Sequence, residues 1–178
     1  GIDVVADIFA GTGAVSSAFP GKTVITNDIM YSNYVCNYAW FGAETYDPQK
    51  IVNYVVEYNA ISQYDDNYMT DNFADTYFSY NDCSDIEDNY QAGDLNDREH
   101  AILIASLLYA MDKIAKTCGH YDAYRKGAKF DKPLELRVPL AEVHNNAGNQ
   151  CFNEDANELV KDIHADLIYI DPPYNSRQ

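Results

Sequence analysis

The chain has 178 residues, four cysteines, four histidines and a formal charge of −16 at pH 7. That length is enough for one hydrophobic core. No apolar run reaches membrane length and no secretory leader pattern is present, so the expectation is a cytoplasmic domain with no membrane contact. Cys36, Cys83, Cys118 and Cys151 lack paired spacing, and His100, His120, His144 and His164 are scattered. This argues against a disulfide framework and against a metal site.

Val4-Val5-Ala6 reads as a short buried strand running into Asp7-Ile8-Phe9-Ala10-Gly11-Thr12-Gly13, a Gly-rich strand-to-helix turn. Val24 to Asp28 reads as a second strand ending in an acid. Tyr31–Gly42 places apolar and aromatic residues at helical spacing. Asp47-Pro48 is an N-cap and first helical position for a helix to about Ala60. Residues 62–94, rich in Asp, Asn and Tyr, show little core-forming periodicity and read as a long polar insert, partly irregular. Asn96-Asp97-Arg98-Glu99 resembles a capping box. It opens the clearest helix, Asp97 to about Thr117, with Ile102, Leu103, Leu107, Met111 and Ile114 on its apolar side and Gly119 as the stop. Cys151 to Ala156 reads as a third strand end, followed by a helix over Ala156–Ile163. Ala165–Ile170 is an apolar run that reads as a buried strand, and Asp171-Pro172-Pro173-Tyr174 follows it directly.

The last motif suits chemistry on an exocyclic amino nitrogen. An adenine N6 is a poor nucleophile because its lone pair is delocalised into the ring. A carboxylate accepting one N–H and a rigid carbonyl accepting the other draw that nitrogen toward tetrahedral geometry. Asp171 and the Pro172 carbonyl fit these roles, and the two prolines remove two backbone donors and fix φ. Tyr174 offers a flat face on which an extruded base stacks. Taken alone, the motif also reads as a strand end followed by a turn. The upstream turn changes the balance. Gly11 and Gly13 let a ligand approach the backbone, but the third glycine of the dinucleotide fingerprint is absent. S-adenosylmethionine, which has no pyrophosphate, is the ligand that turn suits.

On these residues the chain resembles a known family. Phe9-Ala10-Gly11-Thr12-Gly13 looks like methyltransferase motif I. Asp171-Pro172-Pro173-Tyr174, continued by Asn175-Ser176-Arg177-Gln178, looks like motif IV of the N6-adenine DNA methyltransferases that accompany type II restriction endonucleases. Cofactor motif first and catalytic motif later, with a recognition region between, is the alpha-class order. The resemblance implies an α/β fold, a Rossmann-like S-adenosylmethionine-dependent sheet with a helical target-recognition insertion. Its core is expected at 1–30 and 141–178, and the insertion at 31–140. It implies a prokaryotic enzyme acting on duplex DNA beside a cognate restriction endonuclease, releasing S-adenosylhomocysteine and using no metal. Asp7 and Phe9–Gly13 would hold the cofactor. Asp28 would hold its ribose hydroxyls, and Asp155, with Ala156, its adenine. Asp28 also reads as a surface acid and Asp155 as the N-cap of its helix.

The charge is awkward for a DNA-binding protein, whose surface should be basic. Acids crowd between Glu44 and Glu99 and bases between Lys113 and Arg137, so one side can still guide a phosphate backbone. Cys118 to Lys126 resembles a family segment of Gly-x-Tyr-Gly-Ala-Tyr type, departing from it at Cys118, His120 and Asp122. Tyr121, Tyr124, Arg125 and Lys126, with Arg177, are the expected DNA contacts. A capped helix end with packed tyrosines is the alternative for this strip. Against the resemblance stand an rRNA or other amino-nitrogen methyltransferase, a catalytically incomplete DNA-binding fragment, and a dinucleotide oxidoreductase. The chain also reads as truncated at both ends relative to the family, with no upstream Gly-Ser/Asn-Lys pattern. The expectation is weak cofactor binding, little methylation, and association through an uncovered edge of the strand Leu167–Ile170.

Overall fold

The computed structural model describes residues 1–90, 94–118, 121, 123–138 and 146–173, with backbone alone at 87–90. Among them are four strands, β1 (Val4–Asp7), β2 (Thr23–Asn27), β3 (Gln150–Phe152) and β4 (Leu167–Tyr169). Seven helices join them: α1 (Ala14–Ser17), α2 (Tyr31–Phe41), α3 (Pro48–Asn59), α4 (Tyr68–Phe73), α5 (Tyr80–Tyr90), α6 (Asp97–Ile114) and α7 (Ala156–Leu159). Two compact units divide the chain. One comprises Gly1–Tyr46, Asp97–Ile102 and Leu140–Gln178, the other Asp47–Asn96 and Leu103–Pro139.

The first unit holds a four-stranded sheet in the order β3-β2-β1-β4. Every pairing is parallel, with Val5 opposite Val24 on one side and opposite Leu167 on the other. This is the Rossmann-like arrangement expected of the sequence. Parallel sheets bury both faces, and β1 and β2 are accordingly short, nearly all buried runs of Val, Ile, Ala and Thr that end on Asp7 and Asn27. On one face, Ala6, Ile8 and Ile25 pack with Ala156 of α7, joined by Phe152, Ile163 and Ala165. On the other, Ser16 of α1 reaches Asp7, and α2 packs against β2 and β3. β4 lies at the edge, and Ile168, Tyr169 and Ile170 are exposed there, Ile170 at 63%.

Arg98, which the sequence offers as a capping-box residue, is buried within this unit. Its guanidinium donates to the Ala39, Trp40 and Glu44 carbonyls and lies 5.0 Å from the centre of the Tyr46 ring. Burial lowers its pKa from the ordinary arginine value.

The second unit is helical. α3 begins as the sequence predicts, with Asp47 accepting from the Gln49 and Lys50 N–H groups and Pro48 at the first position. Residues 62–94, expected as a long polar insert and partly irregular, are irregular only in part. They carry α4, closed at its N-terminus by a reciprocal Asn67–Thr70 capping box, and α5. Phe78, between the two helices, and Cys83 and Ile86 of α5 are buried, so sparse apolar residues suffice for a core that periodicity alone does not reveal. α6 stops at Ile114, short of Thr117, because Thr117 instead forms an antiparallel bridge with Tyr124. α7 also falls short of Ile163, ending at Leu159.

Candidate active site

The carboxyl ends of β1, β2, β3 and β4 line up along one end of the sheet, and each carries a residue singled out by the sequence. At the end of β1, the chain turns through Phe9–Gly13. Gly11 and Gly13 take φ of 52° and 77°, the left-handed region that disfavours side chains. Their surroundings differ. A Cβ at Gly11 would meet nothing within 4 Å, whereas one at Gly13 would stand 2.6 Å from Asn37 Oδ1 and 2.8 Å from the Phe41 ring. Gly13 is therefore imposed by close packing against α2, and Gly11 leaves space beside the turn. Asn37 Nδ2 also donates to the Gly11 carbonyl at 3.0 Å, which ties the turn to α2. Ala10 is buried and Thr12 exposed on the same turn.

Asp7 closes β1 and is 1% exposed. Ser16 Oγ donates to its Oδ2 at 3.1 Å, while Oδ1 is buried with no protein partner. Burial raises its pKa above the usual carboxylate range. The Ser16 and Phe9 hydrogen bonds work against that rise, and the nearby charges of Asp28 and Asp171 add to it. Asp28 and Asp171, at two other strand ends, thus lie within electrostatic reach of Asp7.

Asp28, just beyond β2, accepts from the Gly11 N–H at 2.8 Å and from the Met30 N–H at 2.8 Å, one bond on each oxygen. A carboxylate has about four acceptor sites, so two hydroxyl donors can still be received there. Beside it, Ile29 and Met30 are exposed apolar residues that sequence reading passed over. Asp155 is the N-cap of α7, as the alternative reading held: its Oδ1 accepts from the Asn157 N–H at 2.7 Å. The Asn157 hydrogen bonds hold its pKa below the ordinary value. Capping uses Oδ1 and leaves the side chain exposed, so it does not exclude a second partner.

Asp171 follows β4, which pairs with β1 in the register Asp7 opposite Tyr169. That pairing sets the Asp171-Pro172-Pro173 segment next to the Gly-rich turn, although the two are far apart in sequence. The Tyr169 hydroxyl lies 3.4 Å from Asp171 Oδ2. Asp171, Pro172 and Pro173 are exposed. Tyr174 and Arg177 lie outside the described residues.

The remaining expected DNA contacts are in the helical unit. Cys118 N–H donates to the Ala123 carbonyl and Arg125 N–H to that of Lys116, so the described residues on the two sides of this strip pair antiparallel. Tyr121 packs its ring 5.4 Å from that of Tyr77 and donates to Asp112, and Tyr124 meets Tyr77 edge-on at 5.8 Å. Both tyrosines nonetheless expose an edge, and Arg125 and Lys126 are exposed. Gly119, His120 and Asp122 lie outside the described residues. Among the described residues, no group of three or more His, Cys, Asp or Glu side chains is placed to hold a metal ion, and no helix is long and apolar enough to cross a membrane.

The Gly-rich turn and the Asp-Pro-Pro segment thus stand at neighbouring strand ends. Residues 1–178 match the family model of the D12 class N6 adenine-specific DNA methyltransferases. The chain belongs to that family. Among curated relatives, the D12-class chain is 32% identical to the modification methylase LlaI of Lactococcus lactis subsp. lactis over 97% of its own length and 32% of the relative's. It is 33% identical to the type II methyltransferase M.NlaIII of Neisseria lactamica over 98% of its length and 57% of that protein. With the modification methylase StsI of Streptococcus sanguinis the identity is 34%, over 99% of the chain and 30% of the relative. This D12-class chain therefore spans between about a third and somewhat over half of these relatives. No solved structure matches it.

Sequence reading missed Asn27, Asn37 and Ser16 at this site. For Asn27 the available signal was a β-branched strand, Thr23–Asn27, that ends on an amide just before Asp28.

Proposed function

We propose that the protein transfers a methyl group from S-adenosylmethionine to the N6 amino nitrogen of adenine in duplex DNA. The observation that carries this reading is the parallel pairing of β1 with β4, which sets Asp171 beside the Gly-rich turn. Methyl donor and acceptor base can then meet at the carboxyl ends of two adjacent strands, where such sheets bind ligands.

The residues present fit the cofactor. The partnerless Oδ1 of Asp7 is an acceptor for the ammonium of the methionine part, the open space at Gly11 admits close backbone approach, and Asp28 retains acceptor capacity for the ribose hydroxyls. Asp155 and Ala156 are assigned to the adenine end. When bound, S-adenosylmethionine supplies an electrophilic sulfonium methyl. Asp171 and the Pro172 carbonyl accept the two N6 hydrogens and localise the nitrogen lone pair. Asp171 then takes the proton that the methylated nitrogen must lose. Pro173 stiffens the loop, and Tyr174 is assigned to stack on the extruded base. Most of the rate advantage would come from positioning.

Target recognition is assigned to the region 31–140. Tyr121, Tyr124, Arg125 and Lys126, with Arg177, are its candidate contacts, and the exposed cations Lys129 and Lys132 continue the basic strip. Family membership supports a restriction-modification context and hence an endonuclease acting on the same site. The test is mass spectrometry of DNA and rRNA digests from cells expressing the protein or its Asp171→Ala variant. N6-methyladenine should rise in DNA with the former alone. Methylation confined to rRNA, or none with either protein, would overturn the assignment.

A further inference from the structure

Asn27 is 2% exposed, and its side chain joins three of the four strand ends at the site. Nδ2 donates to the Ile8 carbonyl at 3.1 Å and to the Glu154 carbonyl at 3.1 Å. Oδ1 accepts the Glu154 N–H at 3.0 Å. The orientation of the amide is unambiguous, because turning it over would set Oδ1 against two carbonyl oxygens. Its own carbonyl accepts the Ala10 N–H at 2.8 Å. One residue thus holds the start of the Gly-rich turn, the segment before Asp155 and, as chain neighbour, Asp28. Asn153 adds a second tie, its Nδ2 donating to the Asp28 and Ile29 carbonyls at 2.7 and 3.0 Å.

A core amide needs only to be satisfied. This one is satisfied entirely by loop backbone that carries the assigned ligand-holding groups, and each partner lies within a few residues of one of them. We propose that Asn27 is a positioning residue for the adenosine half of S-adenosylmethionine, acting through the Glu154–Asp155 segment and the Gly-rich turn without touching the ligand. It sets the distance between the acid assigned to the adenine and the turn assigned to the methionine part. A side chain without two donors and one acceptor in this arrangement cannot set it. Aspartate matches the shape but brings an oxygen against two carbonyls. Serine keeps the polarity but is too short to span from Ile8 to Glu154.

This inference rests on the cofactor reading, and its test separates the two. Binding of S-adenosylhomocysteine is measured by calorimetry for the protein and for Asn27→Asp, Asn27→Ser, Asp155→Ala and the Asn27→Asp/Asp155→Ala pair, with a thermal melt of each. Asn27→Asp and Asn27→Ser should each weaken binding about tenfold while the cooperative melt persists, the scale of orphaning buried hydrogen-bond partners. In the Asp155→Ala background the same Asn27→Asp change should cost about threefold or less, since residues acting as a unit are non-additive. A purely structural role would give the same loss in both backgrounds, and full additivity would overturn the proposal. Loss of folding in both Asn27 variants would overturn it too, making Asn27 a residue of the core. If the unsubstituted protein does not bind the ligand, the cofactor reading itself fails and this proposal with it.

Discussion

At the amino ends of the strands, Asp166 Oδ2 accepts the Asp3 and Val4 N–H groups at 2.8 and 3.0 Å, and its own N–H returns a bond to the Val4 carbonyl. At the carboxyl ends, Asp7 is buried with one oxygen left without a protein partner. The two aspartates lie at opposite ends of two adjacent strands, Asp7 closing β1 and Asp166 just before β4, and answer to opposite demands. Backbone hydrogen bonds hold the Asp166 carboxyl below its ordinary pKa, whereas burial and neighbouring acids push that of Asp7 up. The first end is built as a closed hydrogen-bonded register. The second tolerates a buried carboxyl group, left-handed backbone and neighbouring acids, features that cluster at functional sites.

The largest effect should fall on Asp171, at the carboxyl end. Asp171→Ala is expected to lower methyl transfer by about 10²–10³-fold, as removal of a single preorganised polar group does elsewhere. Binding of S-adenosylhomocysteine should stay near the unsubstituted value in the same preparation. Retained turnover would remove the acceptor role and with it the functional contrast between the two ends.

Gly13 and Gly11 sharpen the comparison within the carboxyl end itself. Gly13→Ala combines left-handed strain of about 1–2 kcal/mol with overpacking of about 1–3 kcal/mol against Asn37 and Phe41. Gly11→Ala carries the strain alone, because nothing lies near its Cβ. Denaturant midpoints should therefore rank the unsubstituted protein above Gly11→Ala and Gly11→Ala above Gly13→Ala. Equal losses would show that the turn is not packed against α2 as described.

Tyr174→Ala should weaken the complex with an extruded adenine by about 1–3 kcal/mol, the usual scale of base–aromatic stacking. Tyr174→Phe should be milder, since stacking needs the ring. Fluorescence of 2-aminopurine at the target position would report both.

The smallest and most diagnostic effects concern pH. Asp166 has a lowered folded pKa, so its contribution is present above the ordinary aspartate range and lost as pH falls through the folded value. Asp166→Asn should destabilise at neutral pH and matter less in acid. Asp7 has a raised folded pKa, so the protein gains from its protonation and loses that gain as pH rises through the folded value. Asp7→Asn should therefore leave stability unchanged or increase it at pH 7, with the difference shrinking in acid. Cofactor affinity should nonetheless fall, because the negative charge facing the ammonium is gone. Melts from pH 4 to 8 that shift in the same direction for both variants would break the comparison between the two ends.

Local chemistry determined much of this protein from sequence alone. The turn after β1 needs glycine, Asp47-Pro48 starts a helix, Asp155 caps one, and β-branched runs make strands. All of these are settled within a few residues of backbone. The same locality explains the errors. Residues 62–94 lack a strong period, so α4 and α5 are not legible there, and the burial of Phe78, Cys83 and Ile86 depends on distant parts of the chain. The extent of α6 depends on the Thr117–Tyr124 bridge, a contact that no propensity near Ile114 encodes. The site divides in the same way. Its glycines, acids and prolines are visible as motifs, because ligand chemistry restricts residue type. Which strands lie side by side, that Asp7 keeps an unpartnered oxygen, and that Asn27 ties together the strand ends were decided only by the tertiary structure, since each depends on backbone groups brought together from distant parts of the chain.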